Sequence, residues 1–424
     1  MKQLLVVNVV FVYLGLLTGL YKIYLLFFFS LYSVLFSVKR VYLKSINRII
    51  LSKLCLIYGF FFFTGLFSLF FILLEFNYVY SNVLNRYLIQ NISLILVFFQ
   101  VYLGFLLLQY VRYAELLKVF EIIIVFLLAI SIYQLVAFNT GFSYIGLYVK
   151  DELSGLRPSS FSGEPKHFSV FLVLSLFFLK DLLWYSHKKQ TKIIYLFAIS
   201  SVFYMFLMTK SGNGYLSFVV LLVFVLFNKN IKIFTVGFIV IAGMLVLFMN
   251  GYEEVSLRPS HLAIFNAIKY GDVQLFSLLD DLIVLPIMAW VENPSFLFFG
   301  FGKGLMHFYA SKFMEHATWL DGSTYIVGNI ALISNVSNFG IIFSGTLLYY
   351  LNSVYVKLFK KSTNVVEKRL LNFLMYNFVI GFFIGGNTAI FFYGSIGGML
   401  YLKSSNKEMT NQNTYNMSST FKSL

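Results

Sequence analysis

The sequence predicts an all-α, polytopic integral membrane protein of about 12 transmembrane helices with one long extracytoplasmic loop. Three observations support this class. Of the 424 residues, 59% are hydrophobic and only 12% are charged, whereas soluble domains carry about 25% charged residues. The apolar residues form runs long enough to cross a bilayer, which takes about 20 residues per helix. One long polar interval, residues 251–325, separates these runs.

The apolar runs predict the transmembrane segments in order. They are 3–20, 22–38, 54–75, 88–111, 119–138, 167–184, 193–209, 214–228, 232–250, 333–354, 370–388 and 390–402. The first run has no small-residue cleavage site before a polar mature chain, so it is interpreted as a span and not as a signal peptide. In the last pair, Gly385, Gly386 and Asn387 fit either a turn or a re-entrant break. Residues 1–402 thus form a single transmembrane domain, followed by a polar, disordered cytoplasmic tail at 403–424.

The basic residues predict the orientation of these spans. With the segments above, five basic loops fall on one side together with both termini, and the positive-inside rule makes that side cytoplasmic. The loops contain Lys39, Arg40, Lys44, Arg48 and Lys53; Arg112 and Lys118; His187, Lys188, Lys189 and Lys192; Lys229 and Lys232; and Lys357, Lys360, Lys361, Lys368 and Arg369. The formal net charge of +15 therefore indicates contact with membrane lipids and not with nucleic acid.

The opposite face carries a repeated motif. Leu-Arg-Pro-Ser occurs at residues 156–159 and again at 257–260. A residue before proline is held extended, while proline suits the first position of a helix, so Arg157 and Arg258 are each expected at the start of a helix. Two such guanidinium groups facing one cavity would hold a phosphate, because each can donate two parallel hydrogen bonds. The alternative is that both are interfacial arginines that reach lipid headgroups.

Other outer residues are weaker candidates. Lys210 lies in a Thr-Lys-Ser-Gly-Asn-Gly turn, where it either adds a cation to the cavity or is a lysine that reaches the membrane surface. His261 follows Arg258 by three residues and would share a helix face with it. Histidine is the natural general base near neutral pH, so His261 and His316 are candidate bases.

Other motifs argue against metal or cofactor chemistry. Asp280-Asp281 has no partner at metal-ligand spacing. The run Gly300-Phe301-Gly302-Lys303-Gly304 does not match a phosphate-binding P-loop and is predicted to be a tight turn that lines the cavity. The single cysteine, Cys55, is predicted to be a packing residue and allows no intrachain disulfide. No metal site and no cofactor are expected.

The order of the outer motifs resembles a known superfamily. An Arg157-Pro-Ser-Ser-Phe-Ser-Gly-Glu-Pro165 stretch precedes a span, and a Thr209-Lys-Ser-Gly-Asn-Gly214 hairpin follows. Then come a large loop with an arginine near its start, the Gly300–Gly304 turn, and a span containing Asn338-Phe-Gly-Ile-Ile342. This order resembles the O-antigen polymerase and ligase superfamily of bacterial polysaccharide assembly, specifically the Wzy-type polymerases. The resemblance covers most of the chain through topology, although the motifs are short.

The resemblance implies a metal-independent membrane glycosyltransferase with a GT-C-like fold in the bacterial cytoplasmic (inner) membrane. Donor and acceptor would be glycans on undecaprenyl pyrophosphate, polymerised on the outer face into O-antigen of lipopolysaccharide or capsular polysaccharide. A chain-length regulator protein is a candidate partner. Arg157 and Arg258 match the positions of pyrophosphate-binding arginines, and Lys210 would add to them. His316 best matches the position of the base in ligase-like relatives, and His261 and Glu164 are lesser candidates.

Two departures from the family pattern affect the site residues. Ser211 is followed by Gly212, where many relatives have an arginine. His316 lacks the Asn-Ser pair that follows it in ligases, which favours a polymerase over a ligase and leaves the base unassigned. An O-antigen ligase, which shares the chemistry, is the first alternative. The second is a flippase for lipid-linked oligosaccharides or another transporter, although transporters usually have short loops and buried charges near the midplane.

Overall fold

The computed structural model describes residues 45–75, 80–142, 149–151, 155–160, 165–226, 281–316, 331–362, 365–384 and 394–404. The predicted spans 3–20, 22–38 and 232–250 lie outside these residues, as do the tail beyond residue 404 and the turn or re-entrant break at Gly385, Gly386 and Asn387.

The described part of the chain is mainly helical. Helices α1 to α6 are Ser45–Glu75, Tyr80–Tyr110, Tyr113–Thr140, Pro165–Tyr185, Lys189–Met208 and Gly212–Leu226. Within the long loop lie α7 (Asp281–Glu292), α8 (Pro294–Phe299), α9 (Met306–Ala310) and a 3₁₀ helix, Ser311–His316. The chain continues with α10 (Ala331–Lys361), α11 (Val365–Phe383) and α12 at residues 394–404. Strands β1 (Val149–Asp151) and β2 (Gly155–Arg157) form an antiparallel hairpin, with Val149 opposite Arg157.

In the part of the chain that the structure describes, five helices are long and apolar enough to cross a membrane. They are Ser52–Leu74, Glu115–Thr140, Pro165–Tyr185, Lys189–Met208 and Ala331–Lys361. The prediction of a mainly helical chain with apolar helices that could span a membrane is therefore confirmed, whereas the count of 12 spans and the GT-C-like fold stay predictions.

The ends of α3 show how local sequence sets helix limits. At its start, the Glu115 carboxylate accepts a hydrogen bond from the Arg112 backbone N–H at 3.1 Å, and an acid in the first turn also offsets the positive end of the helix dipole. At its end, Gly141 is left-handed, with φ of 75°, and its N–H donates to the Ala137 carbonyl at 2.9 Å. Glycine adopts this conformation without a Cβ penalty, so the helix ends there.

The main core surrounds α4, which is buried along most of its length. The Phe120 and Phe178 rings stack with centroids 3.9 Å apart, and Phe373 of α11 packs on Phe178 at 4.8 Å. Glycines bring α2 and α12 into backbone contact, since a Cβ on Gly397 would lie only 1.9 Å from the Val101 carbonyl oxygen. Small residues allow such close approach between membrane helices.

A second core joins α1 and α2 to helices α7–α9 of the long loop. The Phe71 ring lies 5.5 Å from that of Phe296 and 6.5 Å from that of Tyr309. Between Phe296 and Tyr309 the long loop runs along α1 towards the middle of that helix, because a Cβ on Gly302 would lie 2.9 Å from the Gly65 Cα. At 1.5 Å rise per residue, Gly65 lies about 9 Å below Phe71 and about 15 Å from the Glu75 end of α1. The extracytoplasmic placement of residues 251–325 stays a prediction, but the tip of this segment lies beside the interior of an apolar helix.

Helix α10 is interrupted at Gly340, whose φ and ψ are 75° and 161°. The interruption frees the Ser337 carbonyl from its helical partner, and the Phe301 N–H donates to it at 2.7 Å. A Cβ on Gly340 would lie 2.1 Å from the Phe298 carbonyl oxygen. The predicted span at 333–354 is therefore helical but broken, and its break is filled by the backbone of the long loop.

One packing prediction is wrong. Cys55 is exposed on α1 beside Leu56, which is 72% exposed, whereas Leu54 faces the core. Each helical residue turns about 100°, so the neighbour of a core residue can face outward.

Candidate functional site

Arg157 connects two outer segments that are distant in sequence. Its side chain is 3% exposed. Its Nε donates to the Thr209 carbonyl at 2.8 Å and its Nη2 to the Lys210 carbonyl at 3.1 Å. Two of the three predicted pyrophosphate ligands, Arg157 and Lys210, are thereby brought together.

The predicted setting of Arg157 is wrong. Pro158 does not begin a helix, since Arg157 ends strand β2 and helix α4 begins at Pro165. Pairing of Val149 with Arg157 holds the chain extended at the residue before proline, where the helical conformation is disfavoured. The guanidinium accordingly meets backbone carbonyls and not the free N–H groups of a helix start.

Two strained residues accompany this contact. Ser160, with φ of 50°, and Lys210, with φ of 45°, are the non-glycine residues with positive φ in the described part of the chain. Gln134 of α3 holds Ser160 in place, because its Nε2 donates to the Ser160 carbonyl at 2.9 Å and its Oε1 accepts from the Ser160 N–H at 3.0 Å. Strain of this kind costs about 1–3 kcal/mol per residue and is concentrated at functional sites. We call Gln134, Arg157, Ser160, Thr209 and Lys210 the Arg157 end.

Further basic residues lie near this end in sequence. Lys166 and His167, in the first turn of α4, are half-buried, as is the Lys210 side chain. The turn at residues 209–214 packs against the start of α4, since a Cβ on Gly214 would lie 2.6 Å from the Ser169 Cβ. The Arg157 end thus combines positive charge with a backbone fixed by side-chain hydrogen bonds, which are features of anion-binding sites.

The remaining predicted site residues are not placed. Glu164, Arg258 and His261 lie outside the described residues. His316 ends the 3₁₀ helix Ser311–His316, and its side chain also lies outside the described part. Their roles stay predictions.

Sequence reasoning missed a second polar group at the tip of the long loop. This group is formed where the turn at residues 300–304 packs on α2, since a Cβ on Gly304 would lie 2.4 Å from the Gln90 Cγ. It contains Lys303 of the turn, His307, and Arg86 of α2, whose charge acts on His307. Burial lowers the pKa of Lys303 to about 8. Burial, and secondarily the charge of Arg86, lowers the pKa of His307 to about 4. Hydropathy leaves Arg86 outside the predicted span at 88–111, whereas α2 begins at Tyr80, eight residues before that span.

The opposite end of the helices carries an ion pair that was also missed. Asp181 is fully buried, and its carboxylate accepts from the Tyr113 hydroxyl at 2.7 Å and from Arg369 Nη1 at 2.6 Å. The Arg369 guanidinium lies 3.9 Å above the Trp184 ring. This group ties α3, α4 and α11 together at the end where the basic loops lie. We call it the Asp181 end.

No family model, curated protein or solved structure matches this chain.

Proposed function

We propose that the protein is a membrane glycosyltransferase that polymerises undecaprenyl-pyrophosphate-linked oligosaccharide repeat units on the outer face of the cytoplasmic membrane. The supporting observation is the contact between Arg157 and the Thr209–Lys210 turn. These are two of the segments on which the resemblance to Wzy-type polymerases rests, and they meet at the end opposite the basic loops.

The chemistry needs fixed positive charge at that position. Cleavage of the sugar–pyrophosphate bond develops negative charge on the leaving oxygen, and cations held in place stabilise that charge more in the transition state than in the bound donor. Arg157 fixes the turn through two carbonyls, and the turn in turn positions the half-buried Lys210. Arg258 would supply the second guanidinium.

The proposed reaction is a displacement at the anomeric carbon of the donor. The acceptor hydroxyl oxygen forms the new glycosidic bond while the bond to pyrophosphate breaks, so undecaprenyl pyrophosphate leaves with the electron pair. The hydroxyl proton passes to a general base, for which His316, His261 and Glu164 are the candidates. No metal or nucleotide sugar takes part in this scheme.

The test is the length of surface glycan on a denaturing gel. A strain that lacks the gene would be complemented with wild type, Arg157→Ala, Arg258→Ala or Lys188→Ala. Lys188 is an exposed cation at the opposite end, so its variant is the matched control. We expect the deletion strain to carry core with one repeat unit, and expect both arginine variants, present in the membrane, to leave the ladder unrestored while Lys188→Ala restores it. Bare core with polymerised lipid-linked glycan would overturn the proposal in favour of a ligase.

One observation favours the transporter alternative. Helix α10 is interrupted at Gly340, and the glycine turn of the long loop fills the interruption. Interrupted helices beside apolar helices form the substrate sites of many transporters. A flippase would leave bare core in the deletion strain, with single unpolymerised units retained on the cytoplasmic face. That accumulation separates the two functions in the same experiment.

A further inference from the structure

The glycine turn of the long loop lies deep beside the helices. Residues 300–304 contact Gly65 of α1 and Gln90 of α2, and Gly300 faces the break at Gly340. Gly65 lies nine residues inside the end of the candidate span Ser52–Leu74, or about 14 Å along it. Non-helical backbone at such depth is tolerated only where protein covers it or where it lines an aqueous cavity.

Positive charge is concentrated at this turn. Lys303 is surrounded by protein yet keeps part of its surface accessible, and its charge is disfavoured by burial. Arg86 lies close enough to His307 to affect its titration, and it shares a face of α2 with Gln90, four residues later. Charges inside a membrane domain are costly and mark ligand or ion sites by default.

The backbone adds donors to these cations. Gly300, Gly302 and Gly304 have φ values of 81°, 82° and 84°, and they alternate with residues of ordinary handedness. Such alternation turns successive N–H groups toward one side, as in anion-binding nests. In the part of the chain that the structure describes, the N–H groups of Lys303 and Gly304 make no backbone hydrogen bond, whereas the Leu305 N–H donates to the Gly302 carbonyl.

We propose that the turn at residues 300–304, together with Arg86, Gln90 and His307, is a second anion site that binds a phosphoryl group. Two cations and consecutive backbone donors suit a tetrahedral group with several charged oxygens better than a planar carboxylate with two. The group would come from a phosphorylated membrane lipid or from free phosphate or pyrophosphate. The site stands on the geometry of the turn and does not depend on whether the protein polymerises or transports glycans.

The test is phosphoryl binding by the purified full chain in a non-ionic detergent at pH 7. The probes are inorganic pyrophosphate and a short-chain phosphatidic acid in mixed micelles, each followed by the shift in thermal unfolding midpoint over a titration. Lys303→Met removes the charge with a side chain of similar length that suits burial, and Arg86→Gln removes the other cation. Lys312→Gln is the matched control, because Lys312 pairs with Glu292 on the same segment outside the turn.

We expect wild type and Lys312→Gln to bind with equal apparent Kd, and expect Lys303→Met and Arg86→Gln each to weaken binding at least tenfold while unfolding as cooperatively as wild type. Binding of pyrophosphate identifies a soluble phosphoryl ligand, and binding of phosphatidic acid alone identifies a lipid. The proposal fails if wild type binds neither probe, or if Lys303→Met and Arg86→Gln both bind like wild type. A failure of this kind leaves the glycan-length experiment unaffected, because that experiment concerns Arg157 and Arg258.

Discussion

The titration of His307 gives a prediction at the scale of one residue. Its pKa is lowered to about 4 by burial and by Arg86, whereas an unfolded histidine titrates near 6.5. Below pH 6.5 the unfolded chain binds a proton that the folded protein takes up only near pH 4, so stability falls as the pH falls through this window. The loss is about 1–3 kcal/mol. His307→Gln should therefore have a flatter profile of unfolding midpoint between pH 6.5 and 4.5 than wild type.

His187 provides the control for that measurement. It is an exposed histidine at the Asp181 end of the molecule, and His187→Gln should retain the wild-type profile. If His307→Gln loses stability with acid as steeply as wild type does, then the surroundings of His307 do not lower its pKa in the folded protein.

The buried Asp181 gives a second residue-scale prediction. Arg369→Gln leaves a fully buried carboxylate with the Tyr113 hydroxyl and Lys180 as its remaining partners, and removal of one partner of a buried ion pair costs about 3–5 kcal/mol. Asp181→Asn removes the charge that needs compensation, so the double variant should be more stable than the sum of the single losses implies. A double-mutant cycle of unfolding free energies in detergent measures this coupling, and simple additivity would contradict it.

At this scale the motifs in the sequence identified two residues that the structure brings together, but they did not predict the contacts between them. Arg157 and Lys210 were singled out from their motifs, and the structure brings them together. The partners of Arg157 were missed because main-chain carbonyls have no sequence signature. Asp181 and Arg369 are 188 residues apart, and no local pattern pairs charges across such a separation.

At the scale of elements, the break in α10 makes a strong prediction. Gly340→Ala would place a Cβ 2.1 Å from the Phe298 carbonyl oxygen at a φ of 75°, where both the contact and the backbone disfavour a side chain. We expect a loss of more than about 2 kcal/mol in unfolding free energy. Gly345 lies in the same helix with nothing within 4 Å of its Cβ position, so Gly345→Ala should be neutral or stabilise by up to about 1 kcal/mol.

Unfolding of the two alanine variants in the same detergent gives the comparison. Equal stabilities would mean that α10 is continuous and that residues 298–301 do not occupy a break in it.

The break was not predicted from the sequence, because hydropathy reports the length of an apolar run and not its continuity. The start of α2 was misplaced for a related reason. Polar residues at the membrane surface belong to the helix there, although their composition resembles that of a loop.

At the scale of the whole molecule, composition and hydropathy were sufficient to predict apolar helices of membrane-spanning length. Five of the predicted spans match such helices in the structure: 54–75, 119–138, 167–184, 193–209 and 333–354. Composition did not predict how the long loop packs against the helices. Its descent along α1 depends on aromatic packing around Phe71 and on glycines that allow backbone contact with Gly65. These are tertiary contacts between residues distant in sequence, and the average polarity of the 75 residues 251–325 gives no information about them.

The two ends of the helical core differ in charge, and this difference predicts their sides of the membrane. The Asp181 end carries a large group of basic residues: Arg112, Lys118, His187, Lys188, Lys189, Lys192, Lys360, Lys361, Lys368 and Arg369. The described basic side chains on the opposite side are fewer: Arg157, Lys166, His167 and Lys210 at and near the Arg157 end, and Arg86, Lys303, His307 and Lys312 at the long loop and the start of α2. The positive-inside rule therefore predicts that the Asp181 end faces the cytoplasm.

Cysteine labelling tests this orientation. In a Cys55→Ala background, Asn139→Cys places a thiol at the exposed end of α3 near Gln134, and Lys188→Cys places one in the exposed turn between α4 and α5. A membrane-impermeant maleimide should label Asn139→Cys in intact cells but should label Lys188→Cys only after permeabilisation. The reverse pattern would put the Arg157 end in the cytoplasm, away from any lipid-linked glycan on the outer face, and the polymerase proposal would fail with it. Labelling of both positions in intact cells would mean that the helices between them do not cross the membrane.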